Sequence, residues 1–445
     1  MKRLGKKHAW MAGCLILLLL TGFSPPPALA FEPLKGDMSG FDPNNPTFPT
    51  SGDNIKVGVF EPFSGPAKYV GDSYFALLAW VVHDINSQGG IKVDGKMKKI
   101  QIVKGDTQVK PATAKRTAEK LCLEEKVVMF SGTAGSHISL IAQQVAEKYK
   151  TPFMNYTALS DELMDAKNFN RYTFRTCGNT TQYAKALAYF YAARPERKFY
   201  LLCQDYAFGH VFAEVFKKYL AQYRPESKIV GEDFHPLFSK DFAPYLEKIK
   251  GAGAEVIISG NWGIDYENLL KQSRQMGMII PIAGPFTDDP RPLEAVGGPN
   301  GAGVVVVQDY QPDDSIPNQA KLFSLWEPRY KTWKEPYNSV LYKWPGGSWN
   351  RDIVSHYWFF DVLQRAGSTD PEKIIKVWEG DTYAFFGEKL EMRACDHQIV
   401  LDMHTTQLEF PNKFYEKNAA IQKPFVVPAR FCMPDIPEGL DRCKK

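Results

Sequence analysis

The chain reads as an α/β protein built from two similar lobes, each a parallel sheet covered by helices. Three observations predict this. Short apolar runs alternate with stripes of helical spacing from residue 55 onward. The alternation runs twice, over 55–156 and again over 199–308, so one kind of unit is made two times. Gly/Ser/Thr or Gly/Pro turns follow several of the runs, as expected where a parallel strand hands over to its crossover helix.

The first thirty residues stand apart. Lys2, Arg3, Lys6 and Lys7 precede an apolar run over 14–20, and Ala28-Leu29-Ala30 supplies small residues for a cleavage site, so residues 1–30 are expected to be a secretory signal peptide. Met11-Ala12-Gly13-Cys14 superficially suggests a lipidation box, but Cys14 stands at the head of the apolar run instead of after it, which disfavours lipidation there. No later stretch has the roughly 20 apolar residues needed to span a bilayer. The whole sequence carries 54 Lys and Arg against 50 Asp and Glu; removing the four cations of the leader leaves 50 against 50. The mature chain therefore shows no basic surface for nucleic acid.

Residues 31–52 hold several prolines and no periodicity and read as an extended arm or linker. Order is predicted from Ile55: a strand IKVGVF, a turn FSGPAKYVG, and a helix whose stripe is Tyr74, Leu77, Leu78, Val81, Val82 and Ile85. A strand over 99–104 and a helix over 111–125 follow. Then comes VVMFSGTAGSHIS, residues 127–139, where a buried strand meets a turn and a helix striped with Ile138, Ile141, Ala142, Val145, Ala146 and Tyr149. Backbone N–H groups at that helix start, with the hydroxyls of Ser131, Thr133 and Ser136, make a seat for an anion. A strand over 152–156 closes the first series.

The second series predicts strands over 199–203, 229–234, 255–259, 279–283 and 304–308, with helices over 211–220, 242–249 and 266–276 between them. Beyond Tyr310 the rhythm changes. Helices are expected over 319–330 and through Ile353, Val354, Tyr357, Trp358, Asp361 and Val362, with an aromatic loop over 333–349 between them, and Asp370-Pro371 opens a short one. Short strands and loops occupy 389–445. Six cysteines follow the leader: Cys122, on an apolar helix face, Cys177, Cys203, Cys395, Cys432 and Cys443. An exported chain permits disulfides, and Cys395 with Cys432 or Cys443 would tie down the C-terminal tail.

The quoted segments resemble the periplasmic leucine/isoleucine/valine-type solute-binding proteins of ABC importers over about 55–404. IKVGVFEPFSGPAKYVGDSYF resembles that family's first strand and ligand turn, DINSQGGIKVDGK its first helix end, and IQIVKGDTQVKPATA its second strand. SGTAGSHIS resembles its carboxylate loop and RACDHQ a segment near the last interlobe crossing. The resemblance implies two Rossmann-like lobes with parallel sheets joined by three crossover strands, the type I periplasmic binding protein fold. Lobe one would be 52–177 plus 309–388, and lobe two 178–308 plus 389–445. Independently, ligands of open parallel sheets sit beyond the strands' carboxyl ends.

Residue by residue, the resemblance places Ser136 on the carboxylate-binding serine and Thr157 where a backbone group meets the ligand, with Ser160 beside the next position. Phe208 and Trp262 fall on two pocket tyrosines, and Phe286 falls on the acid that pairs with an amino acid's ammonium. A buried ammonium without a counter-charge is strongly disfavoured, so an aromatic or branched carboxylate is favoured over an α-amino acid, unless Asp288 or Asp289 supplies the charge. Phe63, Tyr69, Tyr206, Phe208, Trp262 and Phe286 would line an aromatic cleft, although each also suits plain core packing.

The implied role is capture by an extracytoplasmic, monomeric component of an importer, with a small-molecule ligand and a membrane permease as partners, no cofactor and no nucleic acid. A ligand-sensing module of the same fold is the alternative. An enzyme is disfavoured: the first turn lacks G-x-G-x-x-G, and no G-x-S-x-G or H-E-x-x-H occurs. Cys395, His397 and His404 match no standard metal spacing.

Overall fold

The computed structural model describes residues 31–309, 317–338, 348–408, 425–440 and 442; the expected leader, residues 1–30, lies outside them. The first series of elements is β1 (Ile55–Glu61), α1 (Lys68–Ser87), the hairpin β2 (Ile91–Val93) and β3 (Lys96–Lys98), β4 (Ile100–Asp106), α2 (Pro111–Leu123), β5 (Met129–Gly132), α3 (Ser136–Tyr149), β6 (Phe153–Asn155) and β7 (Thr173–Arg175). Its five-stranded sheet has the order β4-β1-β5-β6-β7, all parallel.

The second series is α4 (Thr180–Ala192), β8 (Lys198–Gln204), α5 (Ala207–Tyr223), β9 (Lys228–His235), α6 (Ala243–Gly251), β10 (Val256–Ile258), α7 (Gly263–Gln275), β11 (Ile282–Gly284), α8 (Pro290–Val296) and β12 (Val305–Gln308). The chain then makes α9 (Pro317–Tyr330), α10 (Ser348–Ala366), α11 (Pro371–Trp378), the antiparallel β13 (Thr382–Phe385), β14 (Glu388–Met392) and β15 (Ile399–Val400), and finally β16 (Met403–Gln407), β17 (Phe425–Val427) and α12 (Ala429–Cys432). The second lobe's sheet runs β9-β8-β10-β11-β12 in parallel and is extended by antiparallel β16 and β17. Counted within its own lobe, each parallel sheet has the order 2-1-3-4-5. The strand order therefore reverses between β1 and β5 in one lobe and between β8 and β10 in the other, and these two reversals are where ligands of such sheets sit.

Three crossings join the lobes, after β7, after β12 and between β15 and β16. The last comes later than expected. Leu390, Met392, Ile399 and Leu401 pack into the first lobe's core with Trp358 and Trp378, so the return to lobe two falls near residue 402, whereas the sequence expectation was 389. The cause is pairing: β14 is held between β13 and β15, which fastens the segment to lobe one. Side chains cross-link the crossings. Arg175, fully buried, donates to Gln398 and to the Leu159 and Ser160 carbonyls, and Gln398 donates to the Cys177 carbonyl at 2.9 Å.

Residues 31–52 form no regular element, yet they are a packed strap and no linker. Phe31, Leu34, Met38 and Phe41 are buried in the first lobe's core. Asp84, inside α1, accepts the Leu34 N–H at 2.9 Å, the Gly36 N–H and the Tyr357 hydroxyl at 2.7 Å, which compensates the burial that pushes its carboxyl upward. Each buried apolar side chain of the strap contributes about 1.5–3 kcal/mol by removal from water.

Cys395 is disulfide-bonded, but not to Cys432 as the first of the two expected pairings had it. Cys432 is a free, buried thiol directed at the carbonyls of Leu401, Val427 and Pro428 at 3.5–3.7 Å. The other expected partner, Cys443, lies outside the described residues.

Candidate ligand site between the lobes

The seat is built where β5 ends. Its last residue, Gly132, turns the chain into a loop that reaches α3 at Ser136, with Gly135 at φ 90° before the helix. The first-turn N–H groups of α3 have no intrahelical acceptors by helix geometry. Ser136 is buried, and its Oγ accepts the Ser160 N–H at 3.2 Å, which leaves its proton to donate. The Thr133 and Ser160 hydroxyls beside it are fully buried and have no partner among the described residues. Orphaned hydroxyls converging on a helix N-terminus fit an anionic group there.

Ser131, expected in the seat, and Thr157, expected to meet the ligand through its backbone, both make contacts within the protein. Ser131 turns beneath the loop, its Oγ 2.9 Å from His356 Nε2. Thr157 gives its N–H to Asn155 Oδ1 at 3.2 Å and its hydroxyl accepts from Tyr74 at 3.0 Å, which leaves its carbonyl and its hydroxyl proton for a ligand.

The second lobe supplies the aromatic wall. Tyr206 stands before α5 and Trp262 before α7, at the carboxyl ends of β8 and β10, and the Trp262 indole N–H donates to the Tyr206 hydroxyl at 2.9 Å. Phe208 continues the row, its ring 6.0 Å from Tyr206 and 5.7 Å from Phe286, the latter edge to face. Phe63, by contrast, is not part of this wall. It packs against Phe75 at 6.2 Å with the Lys104 ammonium above, beside a cavity of about 470 Å³ under the strap, because the Asp106 carboxylate holds its N–H and turns the chain outward.

The lobes touch across the cleft. Tyr206 meets the His137 ring edge to face at 5.7 Å, and Trp262 and Phe238 pack on the first lobe's Phe60, Ala67 and Val109 cluster. Tyr69, at the start of α1, reaches lobe two: its hydroxyl would lie 3.1 Å from a Cβ at Gly263, and the Arg291 guanidinium stacks on its ring at 3.4 Å. Burial pushes the Tyr69 hydroxyl far upward despite that cation, so it stays a neutral donor.

Arg291 also decides what the two aspartates can do. It chelates Asp289, with Nε–Oδ1 3.2 Å and Nη2–Oδ2 2.6 Å, and Asp289 in addition caps α8 through the Arg291 N–H. Asp289 is spent. Burial and the neighbouring Asp289 charge push Asp288 up to about 7, so at neutral pH it is only partly ionised. Neither Arg291 nor Glu61, which lies buried under the loop, is legible in the sequence; the first acts across lobes and the second through the backbone of a distant turn.

A family model described as periplasmic binding protein matches residues 54–414. A Leu/Ile/Val-binding protein homolog 7 of Brucella suis biovar 1 is 26% identical over 266 residues, 56% of this chain and 63% of that protein, so the match spans less than two thirds of the relative's length. Among solved structures, a solute-binding protein of an ABC transporter from R. palustris in complex with benzoate superposes with TM-score 0.71 at 22% identity, covering 88% of this chain and 100% of the other. A leucine-, isoleucine-, valine-, threonine- and alanine-binding protein from Brucella ovis, in closed conformation, gives TM-score 0.72 at 21% identity over 87% and 98%. At these identities the structural likenesses speak to the fold.

Proposed function

The chain belongs to the periplasmic binding protein family, and from that premise we propose that it captures a small carboxylate with a flat or branched apolar body between its lobes, outside the cytoplasm, for the permease of an ABC importer. The ligand carboxylate sits on Ser136 and the α3 N-terminus, and its apolar body lies against Tyr206, Phe208, Trp262 and Phe286. Capture proceeds without bond chemistry. The ligand bridges the two lobes and favours the closed arrangement, and a permease reads that difference.

One observation carries the choice of an acid over an amino acid: among the described residues, none of the three positions expected to face an ammonium group offers a ready counter-charge. Phe286 stands in the position expected for an acid, Asp289 is chelated by Arg291, and Asp288 is pushed towards neutrality. An α-amino acid would bury its ammonium against aromatic rings, which cation–π attraction offsets only in part. The benzoate complex of the R. palustris neighbour supports this reading, and the Brucella ovis protein marks its rival.

The test is Phe286→Glu. Restoring an acid is expected to raise phenylalanine affinity at least about tenfold and to lower benzoate affinity by a similar factor, as measured by calorimetric titration. An unchanged ratio of the two affinities would remove Phe286 from the choice of ligand.

A further inference from the structure

Glu61 ends β1 directly beneath the anion seat and is fully buried. Its Oε2 accepts the Ala134 N–H at 2.9 Å and its Oε1 accepts the Tyr156 hydroxyl at 2.8 Å. The side chain thus ties together the carboxyl ends of β1, β5 and β6, and Ala134 is two residues before Ser136. Among the described residues no lysine or arginine pairs with it. The groups facing it are Tyr156 at the end of β6, whose ring stands 4.8 Å from Tyr74 on α1, and Asp352 on α10. His356, also on α10, is turned to Ser131 at 2.9 Å and to Asp352 at 3.0 Å, with its ring 5.6 Å from Tyr156. The fixed charges around Glu61 give it no cation to balance an ionised carboxylate.

We propose that Glu61 is a positioning residue that makes the seat proton-gated. Protonated, it anchors the Thr133–Gly135 turn and leaves the seat to an anionic ligand. Ionised, it sets a second negative charge under the same seat. Burial pushes its carboxyl up to about 8, against the weaker opposing pull of the Ala134 and Tyr156 hydrogen bonds, so the neutral form prevails at pH 7. The sequence shows only one acid at a strand end; its role appears once the turn 70 residues later is folded over it.

The inference rests on the anionic-ligand reading, and two readouts separate the two. Benzoate titrations from pH 6 to 9.5 are expected to show affinity holding to about pH 7 and then falling about tenfold. Glu61→Gln keeps an acceptor for Ala134 and cannot ionise; it is expected to stay within about threefold of the wild-type affinity at pH 6 and to show no alkaline fall. The same alkaline fall in Glu61→Gln would overturn the gate. If benzoate binds neither protein, the ligand reading fails, and denaturation without ligand decides on Glu61. A carboxyl whose folded pKa is raised favours folding fully below its unfolded pKa and loses that contribution as pH rises through the folded value. The wild type should therefore lose stability relative to Glu61→Gln progressively between about pH 5 and pH 8, and parallel curves would overturn the proposal.

Discussion

Gly132→Ala is expected to abolish ligand binding and to destabilise the first lobe by about 3 kcal/mol. Gly132 holds φ 155°, and a Cβ there would approach the Phe60 carbonyl oxygen to 2.1 Å. That carbonyl cannot retreat, because β1 is central and hydrogen-bonded to β4 on one side and β5 on the other. The turn must move instead. Moving it breaks the Ala134 hydrogen bond to Glu61 and displaces Ser136, so benzoate affinity should fall at least about a hundredfold while the second lobe stays folded. Gly40→Ala, where a Cβ meets nothing within 4 Å, is the matched control and should alter neither property. Calorimetric titration and denaturation of both variants check this.

The second large effect is expected at the crossing after β12. Arg351, buried on α10, donates through Nε to Asp309 Oδ2 at 3.3 Å and through Nη2 to Glu388 Oε1 at 2.9 Å. Burial already pushes Asp309 upward, and the Arg351 charge is what opposes it. Arg351→Met leaves the fully buried Asp309 carboxylate without its cation beside the half-buried Glu388 and should cost about 3–5 kcal/mol. The sign with pH follows. Without the cation the burial that raises the Asp309 carboxyl is unopposed, so the variant comes closest to the wild type at pH 5 and falls furthest behind at pH 8. Denaturation at the two pH values measures this, and an equal loss at both would mean that packing, not charge, is what Arg351 provides.

The repeated strand and helix rhythm was legible because each buried parallel strand is a short apolar run and each covering helix has one apolar stripe, as in the run through Val127 and the stripe through Ile138. Two missed elements carried readable signals. α4 opens with Asn179 and Gln182 in a reciprocal capping box, and β2–β3 turns on Asp94-Gly95, both local motifs. α4 was hidden because burial extends beyond the stripe of Tyr183, Ala184, Leu187 and Tyr191 to Thr180, Gln182, Ala186 and Ala188, small or polar residues that carry no apolar period. Other features had no local signal. The strap is held by Asp84, about fifty residues away, and the last crossing is delayed by a strand pairing.

In the proposed site, Ser136, Tyr206, Phe208, Trp262 and Phe286 follow from strand ends that face the cleft. The sequence pattern puts Phe63 in the same turn but cannot show the Asp106 contact that directs it away. It likewise offers Asp289 as a free acid, and only the fold brings Arg291 to chelate it. The competition between Phe286, Asp288 and Asp289 for an ammonium is therefore a question on which three-dimensional contacts bear and spacing does not.

The most direct measurement is calorimetric titration of the chain from Phe31 to Lys445, unfolded and refolded to strip co-purified ligand, against benzoate, phenylalanine, leucine and the matched acids that lack the amino group. Tight binding of the acids, with the amino acids at least about a hundredfold weaker, is the predicted result. Tighter binding of leucine or phenylalanine than of their matched acids would contradict it and would make Asp288 the ammonium's partner.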